Sequence, residues 1–343
     1  MEAVWKTDRG YRVAIVGATG AVGAEFLRLF DEREFPISSL TLLASERSVG
    51  KQVSFRGETL TVQEATPESL RDTDVAFFSA GASRSRLLAP AALEAGAWVI
   101  DNSSAFRMDP NVPLVVPEIN PDHVGPDSRL IAVPNCTAIL LLMTVHPLRA
   151  LGQIERLIVS TYQSASGGGA SVMRELEDQT ADVLAGRPAV PNVLPHPYAF
   201  NLFSHNTPVG PDGLNEEESK VIAESRKILG LPDLRVNVTC VRVPVLRAHS
   251  ETVTVEFAGP PPSLDAVLAA WEAMPGVRIV NDPAKNHFPM PLEASGQDDV
   301  LVGRLRPDPS NPNAISYFLS GDQLLKGAAL NAVQIAEQVL NRS

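Results

Sequence analysis

A short apolar strand pattern, Tyr11-Arg-Val-Ala-Ile-Val16, runs directly into Gly17-Ala18-Thr19-Gly20-Ala21-Val22-Gly23 and then into an amphipathic helix ending near Phe30. Nothing else in the chain restricts the fold as strongly. Glycines here permit a sharp strand-to-helix turn, let the backbone approach a pyrophosphate and leave the helix amino terminus facing the phosphates. The spacing is GxxGxxG rather than GxGxxG, and an ordinary tight turn also uses glycine. The position, after a first strand and before a helix, favours dinucleotide binding.

Further strands are expected at Leu40–Ala44, Asp74–Ser79, Trp98–Asp101 and Leu130–Val133, with a helix over Arg84–Ala95. Strands alternating with helices imply a parallel sheet covered on both faces. The pattern changes near residue 150. Ile154–Gln163 reads as a long strand, Ala170–Ala185 as a helix after Gly167-Gly-Gly169, and 187–213 as a Pro- and Asn-rich surface loop. A charged helix over Asn215–Leu229, alternating strands that read as antiparallel at Leu234–Val245 and Ser250–Ala258, and a helix over Leu264–Ala273 follow. The expected fold is α/β: a Rossmann-type nucleotide-binding domain over 11–135, then an α+β catalytic and dimerisation domain over 136–320 with a largely antiparallel or mixed sheet. A helical tail, 321–341, is expected to pack back on the first domain. At 343 residues two cores are the natural solution.

The end of the second strand helps choose the cofactor. An Asp or Glu there suits the ribose 2′-hydroxyl of NAD. The chain has Ser45-Glu46-Arg47-Ser48, whose hydroxyls and Arg suit a 2′-phosphate and therefore NADP; Glu46 could bond a ribose.

Net charge is −11 with no Lys/Arg-rich run, which argues against nucleic acid and anionic membranes as partners. Residues 1–10 lack the apolar stretch of a signal peptide and read as a mobile lead-in, so a cytoplasmic location is expected. The two cysteines, Cys136 and Cys240, offer neither a disulfide framework nor metal spacing. Cys136 lies between an apolar strand and an apolar helix, Thr137–Val145. Helix-start N–H groups favour a thiolate and an oxyanion there, pointing to covalent catalysis on a carbonyl. A buried structural cysteine is the alternative. His249 suits proton movement, or merely bridges a strand end. Arg242 stands seven residues earlier, and Pro244 between them would bend the chain so that both reach one pocket. Glu217 and Lys220 share a helix face, which by spacing alone is an ordinary exposed ion pair.

Seven segments together carry a resemblance: VAIVGATGAVG (13–23), DNSSAFRM (101–108), VPEIN (116–120), VPNCTA (133–138), TYQSASGGG (161–169), VRVPVLRAHSE (241–251) and GDQLLKGAALNAVQIAE (321–337). Over nearly its whole length the chain resembles the bacterial aspartate-semialdehyde dehydrogenase family. The resemblance implies NADPH-dependent reduction of L-aspartyl 4-phosphate to L-aspartate 4-semialdehyde with release of phosphate, in a homodimer or dimer of dimers. It implies Cys136 as nucleophile, His249 as acid–base group, Gln163 orienting the acyl group and Asn135 beside the oxyanion. It further implies Arg107 and Lys220 on phosphate, Arg242 on the α-carboxylate and Glu217 on the ammonium. Gly17, Thr19, Gly20, Ala21, Val22, Gly23, Ser45, Arg47, Ser48, Ser166, Gly167 and Gln323 would meet the dinucleotide, and no metal is implied. Departures are Ala138-Ile139 after the Cys-Thr pair, Gln323 where several members have Asn, and Ser204-His205-Asn206 before the long loop. N-acetylglutamyl-phosphate reductase shares the chemistry but would carry Gly at position 135. A non-catalytic relative would lack Cys136 or His249.

Overall fold

The computed structural model describes residues 10–341, so the lead-in lies outside the described residues. The described residues divide into two compact units, 10–135 with 328–341, and 136–327.

The first unit is built on β1 (Tyr11–Val16), β2 (Ile37–Ala44), a hairpin of β3 (Gln52–Phe55) and β4 (Glu58–Thr61), then β5 (Gln63–Glu64), β6 (Val75–Phe78), β7 (Trp98–Asp101) and β8 (Leu130–Ala132). Six of these form one parallel sheet in the order β5-β2-β1-β6-β7-β8. The central strands are apolar almost throughout because both faces are covered: Val75–Phe78 is wholly buried. α1 (Ala21–Glu32) turns Phe26, Leu29 and Phe30 inward, where Phe26, Phe30 and Phe35 gather on Phe77 with ring centroids 4.9–6.0 Å apart. α2 (Ala82–Glu94) follows β6. The last helix, Leu330–Leu340, belongs to this unit. Arg33 at the end of α1 grips its Glu337 through two contacts, 2.6 and 2.7 Å, and Asn331 donates to the Val115 carbonyl at 2.9 Å.

The second unit starts at α3 (Cys136–Val145), whose residues after Cys136 are all buried. β9 (Ile154–Gln163), α4 (Ala170–Leu184), β10 (Phe203–Ser204), α5 (Glu216–Leu229), β11 (Arg235–Arg242), β12 (His249–Phe257) and α6 (Leu264–Glu272) follow. After them come β13 (Val277–Ile279), α7 (Pro291–Ala294), β14 (Val300–Pro307) and β15 (Ala314–Gly321); the Leu330–Leu340 helix is α8. A mixed seven-stranded sheet runs β10-β11-β9-β12-β15-β14-β13. α3 and α5 pack on it, α3 against β12 and β15, α5 against β11. Among the described residues no helix is long and apolar enough to cross a membrane.

The structure corrects three expectations. β11, which reads as antiparallel, runs parallel to its neighbour β9, whereas β12 is antiparallel to β9 on the other side. Alternation fixes which residues face the core but not a strand's neighbour. Second, the tail is not helical from residue 322. β15 runs to Gly321, and the Asp322 carboxylate accepts from the Leu324 N–H at 2.9 Å. A short π-helical stretch, Leu325–Ala329, then leads into α8. Third, the 187–213 loop is tied down rather than merely superficial: buried Glu175 of α4 accepts from the backbone N–H groups of Asn192, Val193 and Leu194, and Gln179 accepts from Tyr198 and Ala199.

Candidate active site

In the first unit, the glycine loop has the shape its sequence demands. Gly17 adopts φ +100°, and a Cβ on it would stand 2.3 Å from the Ser79 carbonyl oxygen. A Cβ on Gly23 would meet the Ala18 carbonyl oxygen at 2.5 Å, so helix and loop pack closely only because it is absent. Gly20 caps α1 without a side-chain hydrogen bond, and Thr19 and Gly20 are exposed. The first-turn amides at Ala21, Val22 and Gly23 therefore sit at an uncapped helix start, which suits a phosphate. Thr19 Oγ1 donates to Ser48 Oγ at 3.3 Å, joining this loop to the turn Glu46–Ser48 after β2. Ser45 precedes that turn, Arg47 is exposed and Ser48 is buried. These residues fit a dinucleotide.

Arg107 belongs to the same unit. Buried Asp101, at the end of β7, accepts from the Ser103 N–H at 2.9 Å and from the hydroxyls of Ser103 and Ser85, both at 2.8 Å. That turn carries the chain to Arg107, whose guanidinium donates to the carbonyls of Val133 and Asn102 at 2.9 and 2.8 Å. Asn135 is the last residue of the unit before the crossover and is buried.

In the second unit, strand register brings together residues distant in sequence. Arg242 of β11 and His249 of β12 are both register partners or near partners of Gln163: Arg242 pairs with Gln163 directly, and Ser250 pairs with Tyr162, which sets His249 beside Gln163. The chain turns back over 243–248, the stretch that holds Pro244, and β9 between the two strands sets both residues beside Gln163. Two residues down each strand, and so on the same face, lie Cys240, Thr161 and Glu251. Gln163 Nε2 donates to Glu217 Oε1 at 3.1 Å. Glu217 is therefore not an exposed surface acid; it is 6% accessible, and Lys220 Nζ stands 3.7 Å from its other oxygen. Glu217 is aimed by an Asn215/Glu218 capping box at the start of α5.

Arg242 Nη1 donates to the Ser164 carbonyl at 3.1 Å and Nε to Asn206 Oδ1 at 3.3 Å. Among the described residues nothing accepts from its Nη2, which leaves that edge for a ligand. Gly167 lies alongside: a Cβ there would fall 3.0 Å from His249 Nε2 and 3.2 Å from Arg242 Nη1. Ser166 is buried on the same turn. Cys136 opens α3, is partly exposed, and lies against Gly327, where an added Cβ would come within 3.0 Å of the cysteine Cβ.

The state of His249 follows from one donor. The Ser164 backbone N–H points at Nδ1 from 3.0 Å. A backbone amide only donates, so Nδ1 is an acceptor and the ring proton sits on Nε2. Nε2 is buried and without a partner among the described residues. Burial, then the nearby Arg242 charge, pull the imidazole down to about 3. His249 is thus neutral at neutral pH.

Residue-by-residue reading of the sequence missed Ser164, His205, Asn206 and Thr207. Thr207 Oγ1 accepts from the Glu217 N–H at 3.3 Å and stands 3.2 Å from His205 Nδ1. The signal available was the Ser204-His205-Asn206 departure itself, which bears on Arg242 and Glu217. Cys240 is buried, as expected for a core thiol.

Glu251 yields a stability prediction. Both its carboxylate oxygens are buried without a hydrogen-bond partner among the described residues, and burial raises it well above its ordinary 4.5. A carboxyl whose folded value is raised binds a proton that the unfolded chain releases. Its penalty is absent below the unfolded value and grows as pH rises toward the folded one, by about 1.4 kcal/mol per pH unit. Glu251→Gln removes that penalty, so its gain in melting temperature over the parent is expected to increase from pH 5 to pH 8. A pH-independent difference would contradict a protonated Glu251.

Comparison with known proteins agrees with this architecture. Residues 12–126 match the family model "Semialdehyde dehydrogenase, NAD binding domain", and 145–326 match "Semialdehyde dehydrogenase, dimerisation domain". The chain is 52% identical over 331 residues to the aspartate-semialdehyde dehydrogenase of Synechocystis sp., covering 96% of this chain and 98% of that one. It is 43% identical to the Bacillus subtilis enzyme of the same name, covering 96% and 98%. The crystal structure of aspartate semialdehyde dehydrogenase II from Vibrio cholerae complexed with ASA superposes with a TM-score of 0.93 at 42% identity, covering 97% of this chain and 98% of that one. Fold and site together define a two-unit, nucleotide-dependent dehydrogenase. The chain belongs to the aspartate-semialdehyde dehydrogenase family.

Proposed function

We propose that this chain interconverts L-aspartyl 4-phosphate and L-aspartate 4-semialdehyde with NADP, through a thioester on Cys136, as a homodimer or a dimer of dimers. The reaction serves formation of lysine, methionine, threonine and diaminopimelate. The observation that carries the reading is the buried rank Arg242–Gln163–His249 with Glu217 bonded to Gln163, in a chain of this family.

The dinucleotide would be held by the glycine loop and the Ser45–Ser48 turn, and when bound it supplies the hydride chemistry. The chain's own residues do the rest. The Cys136 thiolate attacks the acyl carbon, a C–S bond forms, and phosphate leaves with the electrons of the C–O bond. Helix-start N–H groups of α3 and Asn135 stabilise the oxyanion. His249 donates its Nε2–H to that oxygen as a hydrogen bond. After reduction, collapse of the alkoxide expels the thiolate, so neither step requires an imidazolium. Arg242 pairs with the α-carboxylate, Glu217 takes the ammonium, and Gln163 holds the acyl oxygen. By the family resemblance, Lys220 and Arg107 are the phosphate cations.

The assay is NADPH formation from L-aspartate 4-semialdehyde, NADP and phosphate. Phosphate-dependent formation, with arsenate substituting, is expected; no activity from folded, NADP-binding protein would overturn the reading. The cofactor preference has its own test. Arg47→Glu is expected to weaken NADP binding at least about tenfold while changing NAD binding less than about threefold, because only the 2′-phosphate meets the reversed charge. Equal losses, measured by fluorescence titration, would remove Arg47 from the 2′-phosphate site.

A further inference from the structure

We propose that Gln323 is a positioning residue that fixes the proton on Nε2 of His249 through a relay of hydroxyl donors. The proposal rests on reading His249 as the hydrogen-bond donor at the reacting carbon.

The orientation of the Gln323 amide is set by a group that can only donate. The Ala248 backbone N–H points at Oε1 from 3.0 Å, so the other atom is the amino nitrogen. That Nε2 donates to Ser166 Oγ. Having accepted there, the Ser166 hydroxyl sends its own proton to Ser164 Oγ, 3.0 Å away. The Ser164 hydroxyl proton has two acceptors in reach, His249 Nδ1 at 3.0 Å and Gln323 Oε1 at 3.5 Å, and the nearer one, not already taken by the Ala248 N–H, is Nδ1. The Ser164 backbone N–H reaches the same nitrogen. Every proton in the relay runs from Gln323 toward Nδ1, which stays unprotonated and leaves the ring proton facing outward on Nε2.

The same amide also holds the backbone just before the ring. Ala248 adopts φ +71°, a conformation uncommon for a residue with a Cβ. Gln323 clamps its N–H, and Arg247 is anchored at 2.6 Å by Asp322, the residue beside Gln323. All members of the relay are buried. The charged and titratable groups facing His249 are Arg242 of β11, Glu217 of α5 and His205 after β10. Arg242 opposes a ring cation and Glu217 favours one, so those charges pull in opposite directions, and the two donors at Nδ1, the Ser164 N–H and the hydroxyl that ends the relay, together dictate which nitrogen carries the proton.

The test uses the full-length protein. Gln323→Met keeps length and removes both polar atoms; Ser166→Ala cuts the middle link, and Ser166→Thr keeps its hydroxyl. The expected result is a fall in kcat of about 10- to 100-fold for Gln323→Met, with KM for NADP within about twofold. Nitrogen-15 NMR of the His249 ring should show one Nε2–H form in the parent and, where the Ser164 N–H is left as the one ordered donor at Nδ1, a detectable fraction of the other tautomer in Gln323→Met and Ser166→Ala. Ser166→Thr should restore both readouts. Raised KM for NADP with unchanged kcat and ring signals would make Gln323 a cofactor contact and overturn the proposal. A lower kcat with an unchanged tautomer would make it merely structural, which also overturns it. If Gln323→Met fails to fold, Ser166→Ala and Ser166→Thr decide alone. His249→Asn separates the two levels: wild-type kcat there would sink the reading of His249 and this proposal with it, whereas an impaired His249→Asn beside a normal Gln323→Met sinks only the proposal.

Discussion

Cys136→Ala is expected to lower turnover by about 10⁴-fold or more while leaving NADP affinity unchanged. A covalent route ends when its nucleophile is removed, and losses of that order accompany removal of a nucleophile elsewhere. No other thiol can replace it. Cys240 is buried in β11, and burial followed by the negative charge of Glu217 pushes its thiol far above the usual range. The glycine loop and the Ser45–Ser48 turn lie in the other unit, on elements that do not include residue 136. The phosphate-binding amides keep their own loop and helix when residue 136 is changed. Steady-state assays and a fluorescence titration of NADP check both halves. Residual turnover within about tenfold of the parent would exclude the thioester route. Lost NADP binding would mean that the assignment of the dinucleotide site to the first unit is wrong.

Gly167→Ala is expected to lower kcat/KM by about 100-fold without unfolding the protein. The added Cβ would sit 2.9 Å from His249 Cε1, 3.0 Å from Nε2 and 3.2 Å from Arg242 Nη1. Contacts below 3.0 Å do not persist, so something must move. The backbone at Gly167 is tied by its N–H to the Ser164 carbonyl at 3.3 Å, and the imidazole is held at Nδ1 by the Ser164 N–H. Arg242 is fixed through Nε and Nη1. The groups that must yield are the ones aimed at the substrate, and a misplacement of about 1 Å costs about two orders of magnitude. Gly167 has no positive φ in the structure, so alanine is not excluded by backbone conformation and the fold should survive. Kinetics with a parallel thermal melt make the check. Near-parental kcat/KM would show that the space beside Nε2 is not used in catalysis.

Much of the first unit could be read from the sequence because its signals are local. A strand, a glycine loop and a helix specify one another within twenty residues or so, and β1, β7 and β9 span the residues that their patterns indicate. The site of the second unit is legible in its parts but not in its assembly. Arg242, Gln163 and His249 carry chemistry in their side chains, yet their adjacency depends on β9 lying between β11 and β12. No feature of the three segments encodes that order. Glu217 shows the limit most plainly: on the page it is one acid in a run of three, and only the sheet beneath α5 turns it toward Gln163. The strands β14 and β15 escaped notice for a related reason. β15 is buried on nearly every residue, so it lacks the alternation that marks a half-buried strand. Ser164 and Gln323 act through hydrogen bonds to backbone and to each other, a role that residue type alone does not announce.

Mass spectrometry of Cys136 decides whether the reaction passes through a thioester on that residue. The enzyme is mixed with L-aspartate 4-semialdehyde and NADP, with phosphate withheld, and is then quenched in acid and digested. A burst of NADPH close to one per site is expected, together with an aspartyl group on the peptide carrying Cys136 that disappears when phosphate is added. A burst without that adduct, or an adduct on any other residue, would contradict the thioester route.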